Sequence, residues 1–221
     1  MANHTDAVGF IKKWEGGLTG HPADSASSFP APCGNDPRYN APYHTNKGIT
    51  WRTYTSAVTS PSCEEFLIMP DAVWLYVWKA KYWDAVLGDA IKNQAIANAY
   101  ASWAWGSGVT GANNLMISML MSKYGYTMAQ VASPYNRVIV LNELTARDGG
   151  AELFKTMIET REQFFRSLSS FATFGNGWLN RLEEFKRYNQ KYVGQQQNTS
   201  KTLIYVVLAF VVVAIALYFA L

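Results

Sequence analysis

Glu15 is the residue of this sequence whose position best suits proton transfer. It follows a predicted helix over residues 5–14, which two glycines end. The negative end of the helix dipole disfavours a charged carboxylate there and Trp14 would desolvate it, whereas Lys12 and Lys13 favour the charge. The glycines have no side chains, so a bulky polymer can approach the carboxyl closely. The position predicts a carboxylic acid that can donate a proton to a leaving oxygen.

Two aspartates are candidates for a second carboxyl: Asp24, in the following loop, and Asp36 further along it. Cleavage of a glycosidic bond needs one protonated and one ionised carboxyl beside that bond. An acid that follows a helix is, however, more often a solvated surface group. Spacing alone therefore allows this chemistry without establishing it.

The elements that must position these carboxyls are predicted to be helices. Further helices are predicted to start at Trp51, Ser62, Asp71 and Ser133 and to span Asn93–Trp105, Gly111–Tyr124, Ala151–Ser167 and Trp178–Tyr192. No run of residues alternates as a strand does, so the predicted class is all-α. Residues 18–47 are rich in Pro, Ser, Asn and Gly, which indicates a long functional loop with room for a small β-hairpin.

Composition excludes several other classes of protein. The 221 residues fit one main domain, and 49% hydrophobic against 16% charged residues argues against disorder. A net charge of +3 is too small to predict nucleic-acid binding. Two cysteines and three scattered histidines form neither a disulfide framework nor a metal site at diagnostic spacing. Cys33 and Cys63 either pair, if the domain reaches an oxidising compartment, or remain free thiols.

Several segments, in chain order, resemble glycoside hydrolase family 108, the muramidases that include secretion-associated and phage lysozymes. Phe10-Ile-Lys-Lys-Trp-Glu15-Gly-Gly resembles the opening signature of that family. Pro22-Ala23-Asp24 and Thr45-Asn46-Lys47-Gly48-Ile49-Thr50 resemble its loop aspartate and its Thr-Asn-x-Gly-Ile motif. Further similar segments are Lys81-Tyr82-Trp83-Asp84, Ala104-Trp105-Gly106-Ser107-Gly108, Arg161-Glu-Gln-Phe-Phe and Gly177-Trp178-Leu179-Asn180-Arg181. The resemblance covers residues 5–187.

The resemblance implies a lysozyme-like enzyme that cleaves the β-1,4 bond between N-acetylmuramic acid and N-acetylglucosamine of peptidoglycan, without a cofactor. Glu15 matches the catalytic glutamate of the family. Asp24 would stabilise the oxocarbenium-like transition state or orient a water, and Thr45 and Asn46 would hold that water or the sugar. Two tryptophans adjoin family motifs and either stack on sugar rings or pack in the core: Trp51 and Trp105.

The sequence departs from the family pattern in two places. An insert over residues 25–44 separates Asp24 from Thr45, so Asp36 is an alternative second carboxyl. Trp105-Gly106 stands where the family turn has an asparagine. The Trp74, Trp78, Tyr82 and Trp83 side chains are interpreted as core rather than as sugar-binding platforms.

The C-terminal residues Thr202–Leu221 carry no charge and are mostly aliphatic, which predicts a single transmembrane helix. Basic residues before it place the domain on the cytoplasmic side at first, by the positive-inside rule. The predicted localisation is therefore a single-pass membrane anchor, with the domain acting later in the periplasm. The lipid bilayer and a holin or secretion system would be its partners in reaching the wall.

The predicted organisation has four parts. Residues 1–70 form the catalytic part, 71–193 a helical peptidoglycan-binding part packed on it, 194–201 a polar tether and 202–221 the transmembrane helix. The predicted function is an endolysin-like, membrane-anchored muramidase. The main alternative is a catalytically idle peptidoglycan-binding anchor of a membrane assembly, although a binder has no need for an acid such as Glu15. A membrane-permeabilising factor ranks last, because one wholly apolar span makes a poor pore wall.

Overall fold

Side-chain caps set the starts of several helices where the sequence predicts them. Asn3 accepts a hydrogen bond from the backbone N–H of Thr5, and Ser62 and Ser133 cap their helices in the same manner. Pro134 occupies the first turn of its helix, where its missing N–H costs nothing. These local signals are sufficient for the predicted starts at residues 62 and 133.

The computed structural model describes residues 1–194, which are mostly helical. Its α-helices are α1 (His4–Lys13), α2 (Trp51–Ala57), α3 (Cys63–Ile68), α4 (Asp71–Trp78), α5 (Gln94–Tyr124), α6 (Met128–Val131), α7 (Pro134–Asp148), α8 (Ala151–Ser167) and α9 (Phe171–Asn189). Short 3-10 or π turns cover Ser25–Ser28, Lys79–Trp83, Asp84–Val86, Gly88–Ala90 and Gln190–Tyr192. The segment α5 is broken at Gly108, whose φ of 70° and ψ of 158° are not helical. This break separates the two helices predicted over residues 93–105 and 111–124.

The long loop contains the β-structure. Strand β1 (Asn35–Asp36) pairs antiparallel with β2 (Ala41–Pro42), so the hairpin expected in this loop is confirmed. Immediately after it, β3 (Thr45–Asn46) pairs antiparallel with β4 (Ile49–Thr50). Lys47 and Gly48 connect β3 to β4 with φ values of 46° and 77°. A two-residue hairpin turn in which both residues have positive φ favours glycine at its second position, and Gly48 occupies that position.

A buried polar network joins the N-terminal helix to the central and last helices. Asn98 of α5 donates to Asp6 of α1 at 3.1 Å and to Asn189 of α9 at 2.7 Å. Tyr192, just after α9, also donates to Asp6. Buried amides need such partners, so this network fixes how α1, α5 and α9 face one another. The same three helices position the candidate site, which includes Glu15 just after α1, Trp105 within α5 and Arg181 within α9.

The fold class predicted from sequence included a membrane-spanning helix, and that part is corrected. Among residues 1–194, no helix combines the length and apolar character needed to cross a bilayer. Even α5, with 31 residues, is interrupted at Gly108 and buries the polar Asn98. The predicted anchor, Thr202–Leu221, lies outside the described residues, as does most of the predicted tether. The supported class is a mostly helical, lysozyme-like body with small hairpins, and the predicted membrane localisation, first cytoplasmic and then periplasmic, is corrected with it.

The cysteines form a disulfide between Cys33, in the long loop, and Cys63, at the start of α3. It closes a segment with a sequence separation of 30 residues that contains both hairpins.

We expect the double variant Cys33→Ser, Cys63→Ser to lose about 3–4 kcal/mol of unfolding free energy, because the cross-link restricts the unfolded chain. Urea unfolding with and without a thiol reductant measures this. The reductant should lower the midpoint of the natural chain and leave that of the variant unchanged; equal midpoints for all samples would contradict the expectation.

Candidate active site

Glu15 lies directly after the C-terminal end of α1, as the sequence predicts. Its side chain is 13% exposed. The Nε1–H of Trp105, in α5, donates to Oε1 of Glu15 at 2.6 Å. Nη2 of Arg181, in α9, donates to the same oxygen at 3.2 Å. Both donors anchor Oε1, so the carboxyl group has a fixed orientation.

The other carboxyl oxygen, Oε2, faces the turn between β3 and β4. A Cβ atom added at Gly48 would lie 2.2 Å from Oε2 and 2.6 Å from Cζ2 of Trp105. The turn therefore approaches the carboxyl as closely as a backbone can, and only glycine fits. Among the described residues, no side chain donates a hydrogen bond to Oε2, which leaves this oxygen available for a proton.

An open cleft lies on the solvent side of Glu15. Its volume is about 280 Å³, and its lining residues are Lys12, Glu15, Gly16, Gly17, Lys47 and Trp74. A Cβ atom at Gly16 or Gly17 would meet no atom within 4 Å, so side chains there would project into open space. The two glycines keep this approach to the carboxyl clear for a large substrate.

Aromatic rings form the inner wall of the site. Trp105 packs against Tyr82 at 4.8 Å, Trp74 at 5.5 Å and Trp78 at 5.6 Å between ring centroids. Trp74, Trp78 and Trp83 are fully buried, which confirms that they belong to the core. Burial raises the pKa of Tyr82, and the negative charge of Glu15 acts in the same direction. The carboxyl thus sits between an apolar wall and the cleft.

Asp24 lies in the exposed part of the long loop. Its Oδ1 accepts a hydrogen bond from the backbone N–H of Ala26 at 2.9 Å and caps the short turn at Ser25–Ser28. This carboxylate remains accessible to solvent. Its role as second carboxyl stays a prediction.

Asp36, the alternative second carboxyl, is fully buried. Arg38 donates to it through Nε at 2.9 Å and Nη2 at 2.7 Å, and the N–H of Gly20 adds a third bond at 3.0 Å. The Arg38 guanidinium holds the pKa of Asp36 far below its usual range. These donors occupy both carboxylate oxygens, so we interpret Asp36 as a residue that stabilises the loop rather than one that contacts a substrate.

The motif that begins at Thr45 positions the hairpin. Asn46 is buried, and its Nδ2 donates to the carbonyls of Phe66 at 2.8 Å and Leu67 at 2.9 Å. Thr45 Oγ1 lies 2.8 Å from Nδ1 of His44. The Asn46 contacts attach β3 to α3, and the contact of Thr45 with His44 attaches β3 to the loop. Together they fix the position of Gly48 relative to Glu15.

The two flanking tryptophans have different surroundings. Trp105 contacts Glu15 directly, whereas Trp51 packs against Phe66 at 5.1 Å and Tyr54 at 5.5 Å and is only 9% exposed. The structure therefore brings Glu15, Trp105 and the Gly48 turn together, and it places Trp51 in the core beneath the hairpin.

Asp24 and Asp36 are distinguished by matched amide variants. Asp24→Asn should keep the fold stable, because Asn caps as well as Asp does, and should lower the rate of wall hydrolysis. Asp36→Asn should instead lower the unfolding free energy at neutral pH.

The low pKa of Asp36 determines how the stability difference between the natural chain and Asp36→Asn changes with pH. A carboxyl whose pKa is lower in the folded state stabilises the fold above its unfolded pKa of about 4, and this contribution is lost as the pH falls further. The Asp36→Asn deficit in urea midpoint should therefore shrink below pH 4. A larger activity loss for Asp36→Asn than for Asp24→Asn, at equal stability, would contradict the assignment.

Sequence reasoning missed two arginines at the site. Arg181 contacts Glu15 across a sequence separation of 166 residues, and Arg161 lies beside Arg181. Both belong to segments noted for family resemblance, but no spacing rule connects them to Glu15. Within residues 1–194, no cluster of three or more His, Cys, Asp or Glu side chains is placed to hold a metal ion.

A carboxyl that is anchored beside an open cleft on a helical body suits general acid catalysis. Residues 8–108 match the model of the family described as glycosyl hydrolase 108, and this range includes Glu15, Gly48 and Trp105. The family resemblance noted in the sequence is thereby confirmed over those residues. Over this range, which is less than half of the 221 residues, the chain is similar to glycoside hydrolases.

Among solved structures, the chain is similar to the one titled "Structure of Brucella abortus SagA", with a TM-score of 0.61 and 20% identity. The alignment covers 88% of this chain and 97% of that one. At this identity the similarity shows the fold, and it extends past residue 108. No curated protein sequence matches the chain.

Proposed function

We propose that this protein is an N-acetylmuramidase, which hydrolyses the β-1,4 bond between N-acetylmuramic acid and N-acetylglucosamine in peptidoglycan strands. The proposal is carried by the Glu15 carboxyl, which lines the open cleft and whose Oε1 is held by Trp105 and Arg181. The match to glycosyl hydrolase 108 over residues 8–108 supports it.

In this mechanism Glu15 is the general acid. For the reaction the carboxyl must carry a proton, and Oε2, to which no side chain of residues 1–194 donates, is the oxygen from which that proton passes to the glycosidic oxygen of a strand lying in the cleft over Gly16 and Gly17. The C–O bond then breaks as positive charge develops on the sugar. The two donors to Oε1 hold the carboxyl in one orientation, so no reorientation is needed at the moment of transfer.

Asp24 is the proposed second carboxyl. Its exposed position suits a group that stabilises the developing positive charge or orients the attacking water. Asn46 acts through the hairpin rather than on the sugar, since both protons of its amide are engaged by carbonyls. We assign Thr45 and Asn46 the positioning of Gly48.

We further propose that the helical part over residues 71–193 holds the strand that the Glu15 cleft cuts. Helix α9 closes over α1 and α5, and its Arg181 touches the same carboxyl as Trp105. Binding and cleavage would then use one continuous surface.

Product analysis tests the proposed bond. Purified walls are digested with the protein, reduced with borohydride and analysed by mass spectrometry. A muramidase leaves N-acetylmuramic acid at the new reducing end, and reduction converts it to the muramitol form. Reduced N-acetylglucosamine ends would assign the other glycosidic bond, and wall binding without new reducing ends would favour an idle glycan-binding protein.

A further inference from the structure

Among residues 1–194, Arg161 is a buried cation with no acidic partner. The residue is 5% exposed, and its Nη1 donates to Oγ of Ser107 at 2.7 Å. Its guanidinium carbon lies 4.9 Å from the ring centroid of Phe164 and 4.6 Å from that of Phe165. In the described part of the chain no carboxylate oxygen lies within 4.0 Å of an Arg161 nitrogen. A buried charge of this kind normally has a partner.

The cavity next to Arg161 has room for one. Its volume is about 160 Å³, and both Arg161 and Arg181 line it together with Trp103, Phe165 and Trp178. This space is large enough for a carboxylate group and the carbon atoms attached to it. Arg–carboxylate pairs are favoured in such surroundings because the planar guanidinium offers two parallel N–H donors.

The charges around this cavity are unbalanced. Arg181 is paired with Glu15 at 3.2 Å. Burial, and then repulsion from Arg181, lowers the pKa of Arg161 to about 10, so it stays charged at neutral pH. Arg181 thus has a carboxylate partner and Arg161 has none within residues 1–194, so a second carboxylate would balance the two cations.

Gly106 creates the space in which the Arg161 guanidinium lies. A Cβ atom at this position would be 2.8 Å from Nη2 of Arg161. Gly106 directly follows Trp105 in α5. The same helix turn therefore provides the hydrogen-bond donor to Glu15 and the space for the Arg161 guanidinium.

We propose that the cavity between Arg161 and Arg181 is a subsite for a carboxylate of the peptidoglycan substrate. This inference rests on the proposed function, since it places the ligand group beside the carboxyl that would cut the strand. Two carboxylate sources exist in peptidoglycan: the lactyl group of N-acetylmuramic acid that carries no stem peptide, and the stem peptides themselves. A neutral glycan has neither.

The test measures binding of soluble glycan strands to the full chain carrying Glu15→Gln, which should not cut them. Tryptophan fluorescence reports binding, since two tryptophans line the cavity. Peptide-free strands are used with free lactyl carboxylates, and the same strands after amidation with carbodiimide and ammonia. We expect amidation to raise the Kd at least tenfold in this background.

Adding Arg161→Met to this background should remove the difference between native and amidated strands, and Arg161→Lys should restore part of it. The matched control is Arg166→Met: Arg166 lies on the same helix but is exposed and paired with Glu162. It should keep the full amidation effect. If Arg161→Met fails to fold, Gly106→Ala serves instead, because the added Cβ displaces the guanidinium.

Strands that keep their stem peptides distinguish the two sources, because their lactyl groups are blocked and only peptide carboxylates remain. An amidation effect confined to these strands assigns the peptide, and one confined to peptide-free strands assigns the lactyl group. Either result supports the subsite. The subsite would be overturned if amidation raised the Kd by the same factor with and without Arg161, or if amidation changed the Kd of neither kind of strand. Because the readout is Kd, failure of the natural chain to cut walls would refute only the proposed function.

Discussion

Glu15→Gln is expected to lower the rate of peptidoglycan hydrolysis by roughly 10²–10⁴-fold, the usual range for loss of a general acid. The amide is nearly isosteric with the carboxyl, and its oxygen still accepts hydrogen bonds from Trp105 and Arg181. It lacks an acidic proton. Clearing of a turbid suspension of purified walls gives the rate, and thermal unfolding shows that the fold is retained.

Glu184→Gln is a suitable control for that variant. Glu184 lies on α9 and pairs with Lys13, and neither residue lines the cleft. It should clear walls at the rate of the natural chain. Clearing by the Glu15→Gln chain at that same rate would end the muramidase proposal.

Gly48→Ala is expected to have the second largest effect, a loss of at least tenfold in activity. The new Cβ would lie 2.2 Å from Oε2 of Glu15, so either the hairpin or the carboxyl must move. A displacement of about 1 Å at a catalytic group costs up to roughly a hundredfold in rate. The positive φ of 77° adds backbone strain to the steric conflict.

Gly125→Ala separates these two effects. Gly125 ends α5 with a φ of 74°, and a Cβ there would meet no atom within 4 Å. This control carries a similar backbone strain, so it should lose stability, by about 1–2 kcal/mol, without loss of the specific activity of the folded protein. Equal specific activities for the two variants would show that the Gly48 turn does not control Glu15.

Helix positions were predictable because their signals are local. The Ser62 and Ser133 caps and the Gly108 break lie within a few residues of what they determine. Helix α9 was less well predicted: it begins at Phe171 rather than at Trp178. Gly175 and Gly177 have low helix propensity, but packing of this segment outweighs that preference.

The candidate site was predictable only where a motif contained it. Glu15 and Trp105 lie in such motifs, and the structure joins them. Arg181 reaches Glu15 through the packing of α9 on α1 and α5, which no sequence period encodes. The carboxylate of Asp36 looked equivalent to that of Asp24 in the sequence, and only the tertiary contacts with Arg38 and Gly20 distinguish them.

The contact between Glu15 and Arg181 also sets an order of events during synthesis. The two residues are 166 positions apart, so at about 5–20 residues per second the arginine leaves the ribosome roughly 8–33 s after the glutamate. In that interval the whole matched range 8–108 has been made, yet the carboxyl lacks one of its two anchors. The smallest unit that can assemble the complete site is therefore the helical body through α9, and a fragment cut at the end of the matched range would carry the glutamate without its arginine.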